Sequence, residues 1–312
     1  MTSPATVSVV ITFFNASTFL AEALQSVVAQ TYDRWEVLLV DDGSTDDSAV
    51  IAKSWVAAHP TRMRYLDHPD CANRGISASR NLGIAHANGE FVAFLDADDV
   101  WLPNKLERQV HLLRAHPHVG MIYGRTQYWR SWAGNAQGDR RDSIPTDRIR
   151  AGAVLEPPAL LTAFLSGTAR VPCPSSVVVR RSLVEGLARF EDSFRGLYED
   201  QVFYAKVCLN APVLVSDECL ERYRQHAGSL CALSAQSDAE TTWRRRYLHW
   251  LSRYVSDAGV VDPGLSRALR AQLWVWEEDR TRHLPRWTQR LVRTAKTTLV
   301  NVAALVPPSK TS

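Results

Sequence analysis

Two groups of carboxylates in this chain are placed to do chemistry. Asp41-Asp42-Gly43-Ser44 follows the strand pattern Trp35–Val40, and Asp96-Ala97-Asp98-Asp99 follows the apolar run Phe91–Leu95. Acids gathered at one edge of a sheet repel one another unless a cation sits between them. Oxygen ligands of this kind suit Mg2+ or Mn2+, which bridge protein carboxylates and substrate phosphates. The same residues also serve as helix caps and turn formers, so both readings stand at this point. No P-loop signature is present, and no GxGxxG follows the first strand pattern. A bound phosphate would therefore have to be carried by a metal and arginines rather than by a glycine loop.

Ligands bind open α/β sheets at the carboxyl ends of the strands, so the elements must bring those ends together. Val7–Phe14, Trp35–Val40, Met63–Asp67, Phe91–Leu95 and Val119–Tyr123 read as strands. Between them, Thr18–Thr31, Asp46–Ala58, Ser77–Ala87 and Pro103–Ala115 have helical spacing. This alternation predicts a parallel sheet with helices on both faces. Beyond residue 126 the pattern loosens. Gly134–Gly152 is polar and turn-rich, Ser175–Val179 reads as a strand, Val202–Leu209 as a helix, Val213–Val215 as a short strand, and from 236 onward the chain reads as helical.

With 312 residues, 46% hydrophobic and 22% charged, the balance is globular and excludes disordered, collagenous and coiled-coil classes. The five cysteines are scattered without a CxxC pair, which argues against a zinc site or a disulfide framework and fits a reducing compartment. The first residues lack a basic leader, and no apolar run reaches the length of a membrane span, so a cytoplasmic protein is expected. Residues 280–312 hold seven Lys and Arg and no acid; subtracting that +7 from the net +3 leaves −4 for the body. Leu284, Trp287, Leu291, Ala295, Leu299, Val302 and Val306 form one helical stripe flanked by Arg286, Arg290, Arg293 and Lys296. Such a tail suits peripheral attachment to an anionic membrane surface, at the inner face of the cytoplasmic membrane, or packing on the protein's own body. The acidic body and the lack of a known module argue against nucleic acid.

Taken together, VSVVITFFN, QTYDRWEVLLVDDGSTDDS, NRGISASRNLGIAHANGEFVAFLDADDVWLPNKLERQ and YEDQVFYAKV resemble the family 2 inverting glycosyltransferases of the GT-A fold, over about residues 7–230. The resemblance implies an α/β fold of the nucleotide-diphospho-sugar transferase type, with a mostly parallel central sheet flanked by helices and a C-terminal helical extension. It implies a nucleotide-sugar half over 1–125, an acceptor and catalytic half over 126–235, and the extension over 236–312. It places Thr12 and Phe14 at the nucleobase, Asp42 on the base edge with Asp41 beside it, Arg80 near the nucleotide, and Asp96 towards the ribose. Asp98 or Asp99 would ligate the metal. Glu199-Asp200 matches the family's acid pair, with Asp200 as base at a helix start. Arg224-x-His226 with Ser229 resembles a segment that closes over the diphosphate, where His226 would ligate the metal or touch phosphate. The QxxRW motif of processive synthases is absent.

The expected reaction is inverting, metal-dependent transfer of a sugar from a UDP-, dTDP- or GDP-sugar to a hydroxyl of a saccharide or lipid-linked saccharide in cell-envelope polysaccharide biosynthesis. Breaking the anomeric C–O bond leaves charge on the diphosphate, which a divalent ion and cationic donors stabilise, and a hydroxyl attacks only when a base takes its proton. The alternatives are transfer to polyprenyl phosphate, a nucleotidyltransferase, for which Phe13-Phe14-Asn15 is the wrong loop, and a non-catalytic glycan-binding or scaffold protein that keeps the fold. Intact Asp96, Asp98 and Asp200 weigh against the last.

Overall fold

The computed structural model describes residues 6–137, 141–146, 148–234 and 239–277. The basic stripe over 284–306 and the remainder of the tail lie outside these residues. The first part of the chain alternates as expected: β1 (Val7–Phe13), α1 (Leu20–Val28), β2 (Trp35–Asp41), α2 (Ser48–Ala58), β3 (Met63–Asp67), α3 (Ile76–Ala85) and β4 (Phe91–Asp96). A two-residue β5 (Val100–Trp101), α4 (Lys105–Ala115) and β6 (Met121–Trp129) follow. Then come β7 (Ala153–Leu155), α5 (Ala159–Ser166), β8 (Val178–Arg180), α6 (Arg181–Gly186), α7 (Glu199–Asn210), β9 (Val213–Arg224), α8 (Leu230–Ser234), α9 (Ala239–Asp257) and α10 (Pro263–Glu277).

One sheet joins all of the described strands, in the order β3-β2-β1-β4-β8-β6-β9-β5, with β7 also paired to β9. β1, β2, β3 and β4 are parallel. β8 turns the sheet antiparallel, β6 and β9 run parallel to each other, and β5 and β7 lie antiparallel to β9. The sheet is thus mixed, with its parallel block in the first half. The boundary expected at residue 125 falls inside β6.

Both faces of β1, β2 and β4 are covered, which is why these strands are mostly apolar, whereas the edge strand β3 is only partly buried. Val7, Val9, Ile11 and Phe13 pack with α1 and α4 through Leu20, Leu24, Leu106 and Leu113. Val10, Leu38, Val40 and Phe94 face the other way, onto a core that takes in Ile84, Leu161, Phe203 and Val207. Leu248 and Leu251 of α9 and Leu265 and Leu269 of α10 belong to that second core, so the described part of the helical extension packs on the body. No helix among the described residues is long and apolar enough to cross a membrane.

The structure corrects three expectations. Ser175–Val179 is a single 3₁₀ turn over Pro174–Ser176 and then the strand Val178–Arg180, because Pro172 and Pro174 offer no N–H to a ladder. Val119–Tyr123 extends to Trp129, and the short strand at Val213–Val215 extends to Arg224. Those two extensions pair with each other across register shifts beside Arg125, and their polar residues, such as Thr126 and Glu221, which bond across the pair, hide them from a hydrophobicity pattern.

Candidate active site

Strand register brings the singled-out residues to one edge. Phe13 lies opposite Asp41, Thr12 opposite Asp96, and Asp41 opposite Asp67. Thr12 is buried, while Phe14 is half-exposed just past the end of β1. Asp41 and Asp42 are buried and committed to loop structure. Asp41 accepts hydrogen bonds from Ser44 N and the Tyr65 hydroxyl, both at 2.8 Å. Asp42 accepts from Arg74 N at 2.8 Å, Gly75 N at 3.0 Å and Ser79 Oγ at 3.0 Å. Gly43, at φ +83°, sits where a Cβ would lie 2.7 Å from the Cys71 carbonyl oxygen. Only glycine fits this left-handed, crowded turn.

Arg80, projecting from α3, is 1% exposed and joins the two halves of the chain. Its Nη2 donates to Asp96 Oδ1 at 2.8 Å and its Nη1 to Glu199 Oε1 at 3.2 Å, while the guanidinium lies 5.2 Å from the Phe190 ring centroid. Burial disfavours its charge, but Asp96 and then Glu199 hold it protonated. Glu199 and Asp200 open α7. Burial pushes the Glu199 carboxyl up to about 8, with the neighbouring Asp200 charge adding to the effect. Asp200 is partly exposed. Burial raises its carboxyl to about 6, opposed by backbone N–H groups of the helix start and by Arg80. It accepts a hydrogen bond from Gln201 N at 2.7 Å.

Asp98 and Asp99, adjacent in sequence, have different surroundings. Asp99 is fully buried and accepts from Ser175 Oγ at 2.6 Å, Arg224 N at 3.0 Å and the Cys173 thiol at 3.5 Å. Burial and the Asp98 charge drive its carboxyl well above the usual range. Asp98 is partly exposed, with its Oδ2 2.9 Å from Nε2 of His226. Arg224 is a strut. Its Nε donates to the Asp98 carbonyl at 2.7 Å, it pairs with Glu22, and Phe19, Trp129 and Trp132 surround its guanidinium with ring centroids at 4.5–4.9 Å. The structure thus brings Asp98 to His226 and Asp96 to Arg80 and Glu199.

Asp96, Asp99 and Cys173 also present ligand atoms within 4.8 Å of one another. The thiol there is pushed well up by burial, and both Asp99 oxygens already accept hydrogen bonds. The partly exposed carboxylate of Asp98 is a better match to Mg2+ or Mn2+ than a buried thiol, and His226 lies beside it.

Several contributors escape sequence reasoning. Glu22 is an ordinary surface-type acid on α1, and nothing marks Ser175 as the bridge between Asp99 and Asp96 N, which donates to its Oγ at 3.1 Å. Lys105, just after Pro103-Asn104, is fully buried, and burial lowers its ammonium to about 7. A small recess of about 30 Å3 borders this cluster at Cys173 and is lined also by Arg125, Thr126, Tyr128 and Arg170.

A mixed sheet with acids at the ends of its parallel strands and an Arg-braced acid pair at a helix start defines a GT-A glycosyltransferase. The family model for Glycosyl transferase family 2 matches residues 8–186, and the chain belongs to that family. It is 31% identical over 252 residues to the uncharacterized glycosyltransferase YibD of Escherichia coli, across 80% of this chain and 70% of YibD. It is 32% identical over 118 residues to the UDP-Glc:alpha-D-GlcNAc-diphosphoundecaprenol beta-1,3-glucosyltransferase WfgD of E. coli, covering 38% of this chain and 44% of WfgD. The chain thus spans less than half of WfgD, and 35% of the Nostoc glycosyltransferase alr2836. S. aureus TarS 1-349 in complex with UDP-GlcNAc superposes with a TM-score of 0.67 at 18% identity, over 96% of this chain and 81% of that one. The mannosyltransferase PcManGT of Pyrobaculum calidifontis, in complex with GDP-Man and Mn2+, superposes at 0.59 with 19% identity, over 98% and 78%.

Proposed function

We propose that the chain moves a sugar from a nucleoside-diphosphate donor onto a hydroxyl of a lipid-linked saccharide, in one displacement that inverts the anomeric carbon, with Asp200 as general base. The observation that carries this is the division of labour in the acid pair. Glu199 is buried against Arg80, whereas Asp200 is partly exposed at the start of α7 and is raised to about 6. A base with a pKa near the working pH is both ionised and able to accept a proton. WfgD, by its name, acts on a diphosphoundecaprenol-linked sugar. Such an acceptor carries a diphosphate, and Arg125 and Arg170 on the wall of the recess complement that charge. Asp96 and the exposed face of Phe14 serve the nucleoside, with Thr12, Asp41 and Asp42 shaping its pocket.

Asp98 and His226 would hold a Mn2+ or Mg2+ ion, which when bound supplies Lewis-acid stabilisation of the leaving diphosphate. Asp99 shapes the turn from below, and Arg224 fixes that turn against Glu22 and the aromatic cage. The deciding experiment is a panel of UDP-, dTDP- and GDP-sugars, assayed for nucleoside-diphosphate release and for binding with Mn2+ or excess EDTA. Binding should need the metal, and Asp98→Ala should abolish the difference between the two conditions. Equal affinity of wild type in Mn2+ and in EDTA would remove the metal from this reading, and turnover of no donor would overturn it entirely.

A pH profile tests the base independently. Asp200 must be ionised to work, so the rate should fall about tenfold per unit below pH 6 and level off above it. The limb belongs to the coupled Glu199–Asp200 pair rather than to one group. A rate that is flat across this range would move the base elsewhere.

Attachment to anionic membrane through residues 284–312 is proposed from the sequence. At about 1 kcal/mol per basic residue near the surface, Arg286, Arg290, Arg293 and Lys296 would together supply about 4 kcal/mol. Pelleting with anionic vesicles at low salt should be lost on truncation after His283. Pelleting that survives the truncation would refute the tail as the anchor.

A further inference from the structure

We infer that α9 is a positioning clamp for the Glu199–Asp200 pair: its aromatic face holds the turn 194–198 in the one shape that aims the first turn of α7 at Arg80. The inference rests on Asp200 being the base, as proposed above. Tyr198, Trp243, Arg244 and Tyr247 all lie beyond the residues 8–186 that the family model matches.

The starting point is Tyr198, which immediately precedes the pair and has φ +70° and ψ 8°. A bulky residue other than glycine in the left-handed region is an outlier, and it persists only where the surroundings over-determine it. The surroundings are α9. The Tyr198 ring stacks on Tyr247, with centroids 5.6 Å apart and planes 19° from parallel. The guanidinium of Arg244 lies 5.6 Å from the same ring.

The contact continues back along the turn. At Gly196 a Cβ would meet ring atoms of Trp243 at 3.1 Å, so the indole rests on bare backbone. Phe194 packs on Trp243 and Trp250, at centroid separations of 6.0 and 6.1 Å. Residues 194, 196 and 198 thus all meet α9, where Trp243, Tyr247 and Trp250 recur at the spacing of one helical face. The turn is pinned from the other side by Ser77 of α3, whose hydroxyl donates to the Phe194 carbonyl at 2.7 Å. α9 is itself anchored: Arg244 donates to Gln272 of α10 at 2.8 Å, and Gln272 donates to the Leu165 carbonyl of α5 at 2.7 Å.

The clamp acts on α7 through its first backbone bond, from Val202 N to the Tyr198 carbonyl at 3.0 Å. If Tyr198 leaves the left-handed region, that carbonyl swings, the first turn of α7 rotates, and Asp200 no longer faces the acceptor. Donor contacts at Phe14, Asp96 and Asp98 sit on other elements, so donor binding should be spared.

The test compares Tyr247→Leu, Tyr247→Phe and Tyr198→Gly with wild type and with Asp200→Asn. Glycine keeps the left-handed backbone at no steric cost but removes the clamped ring. Tyr247→Leu and Tyr198→Gly should lower kcat about 10- to 100-fold while the Kd for UDP with Mn2+ stays within about threefold, because an ångström of misplacement costs rate rather than ground-state affinity. Amide exchange across 199–203 should quicken in both variants, and Tyr247→Phe, which keeps the stacked ring, should restore kcat. A folded Tyr198→Gly or Tyr247→Leu with kcat within about twofold of wild type and unchanged amide exchange overturns the clamp, provided that Asp200→Asn is slow. If Asp200→Asn turns over normally, the assignment of the base fails instead, and the exchange measurement alone decides whether α9 holds the turn.

Discussion

Replacement of Asp200 by asparagine should slow sugar transfer by about 10²- to 10⁴-fold, the range for losing a general base, while donor affinity stays near that of wild type. Asparagine has the same shape and its side-chain oxygen can still accept the hydrogen bond from Gln201 N, so the start of α7 is preserved and only the capacity to take a proton is lost. The fold should not suffer. Burial raises the Asp200 carboxyl to about 6, above its ordinary value, so its ionisation opposes folding. The stability associated with that carboxyl is greatest below its unfolded pKa and is lost as pH rises through about 6. Asp200→Asn should therefore melt no lower than wild type near pH 8. Any gain in Tm should vanish in acid, where both side chains are neutral. A catalytic residue that weakens its own fold is the pattern expected where function and stability conflict. A variant that is slow only because it is unfolded, or one that turns over near the wild-type rate, would remove Asp200 from its proposed role.

The parallel half of the fold is legible because β1, β2 and β4 are almost wholly buried. Val7–Phe13, Trp35–Asp41 and Phe91–Asp96 are mostly apolar before the acids that end β2 and β4, interrupted by Ser8, Thr12 and Glu36 alone. The far half of β9 is illegible for the opposite reason. Glu221 accepts a hydrogen bond from Thr126 across the strand pair, and Arg224 is held by Glu22 and by the turn at Asp98. A hydrophobicity pattern reads such residues as loop, because it cannot see partners that lie 95 or 202 positions away.

The site divides in the same way. Its acids are visible as residue types at strand ends, but their roles depend on where β9 lands. Arg224 N bonds Asp99 and His226 meets Asp98, which makes one carboxylate structural and leaves its neighbour available. Position in the chain separates the two by a single residue and gives no hint of the difference. Tyr198 illustrates a further limit. Its left-handed backbone is unfavourable locally, and only the aromatic face of α9, some 45 residues further on, makes it tolerable.

Removal of the Arg80 guanidinium should be the most damaging change to the fold. In Arg80→Met the stem of the side chain keeps its packing, but Asp96 and Glu199 lose the cation between them. Breaking a buried ion pair by deleting one partner costs about 3–5 kcal/mol, because a charge is left uncompensated. Arg80 is 1% exposed and bonded to both acids, so solvent offers little screening. Glu199 already titrates near 8 with Arg80 present, and without it both carboxyls should rise further. A carboxyl raised in the folded state is stable there when protonated, and its contribution is lost as pH rises through the folded pKa. The deficit of Arg80→Met relative to wild type should therefore be largest above pH 8 and should shrink towards about pH 5, where the two acids can carry protons. Donor binding should weaken as well, since Asp96 loses the group that holds it at the end of β4. Thermal unfolding of both proteins at the two pH values decides the matter. An equal deficit at both would show that Arg80 matters for packing alone, and no deficit at either would show that Asp96 and Glu199 do not need its charge.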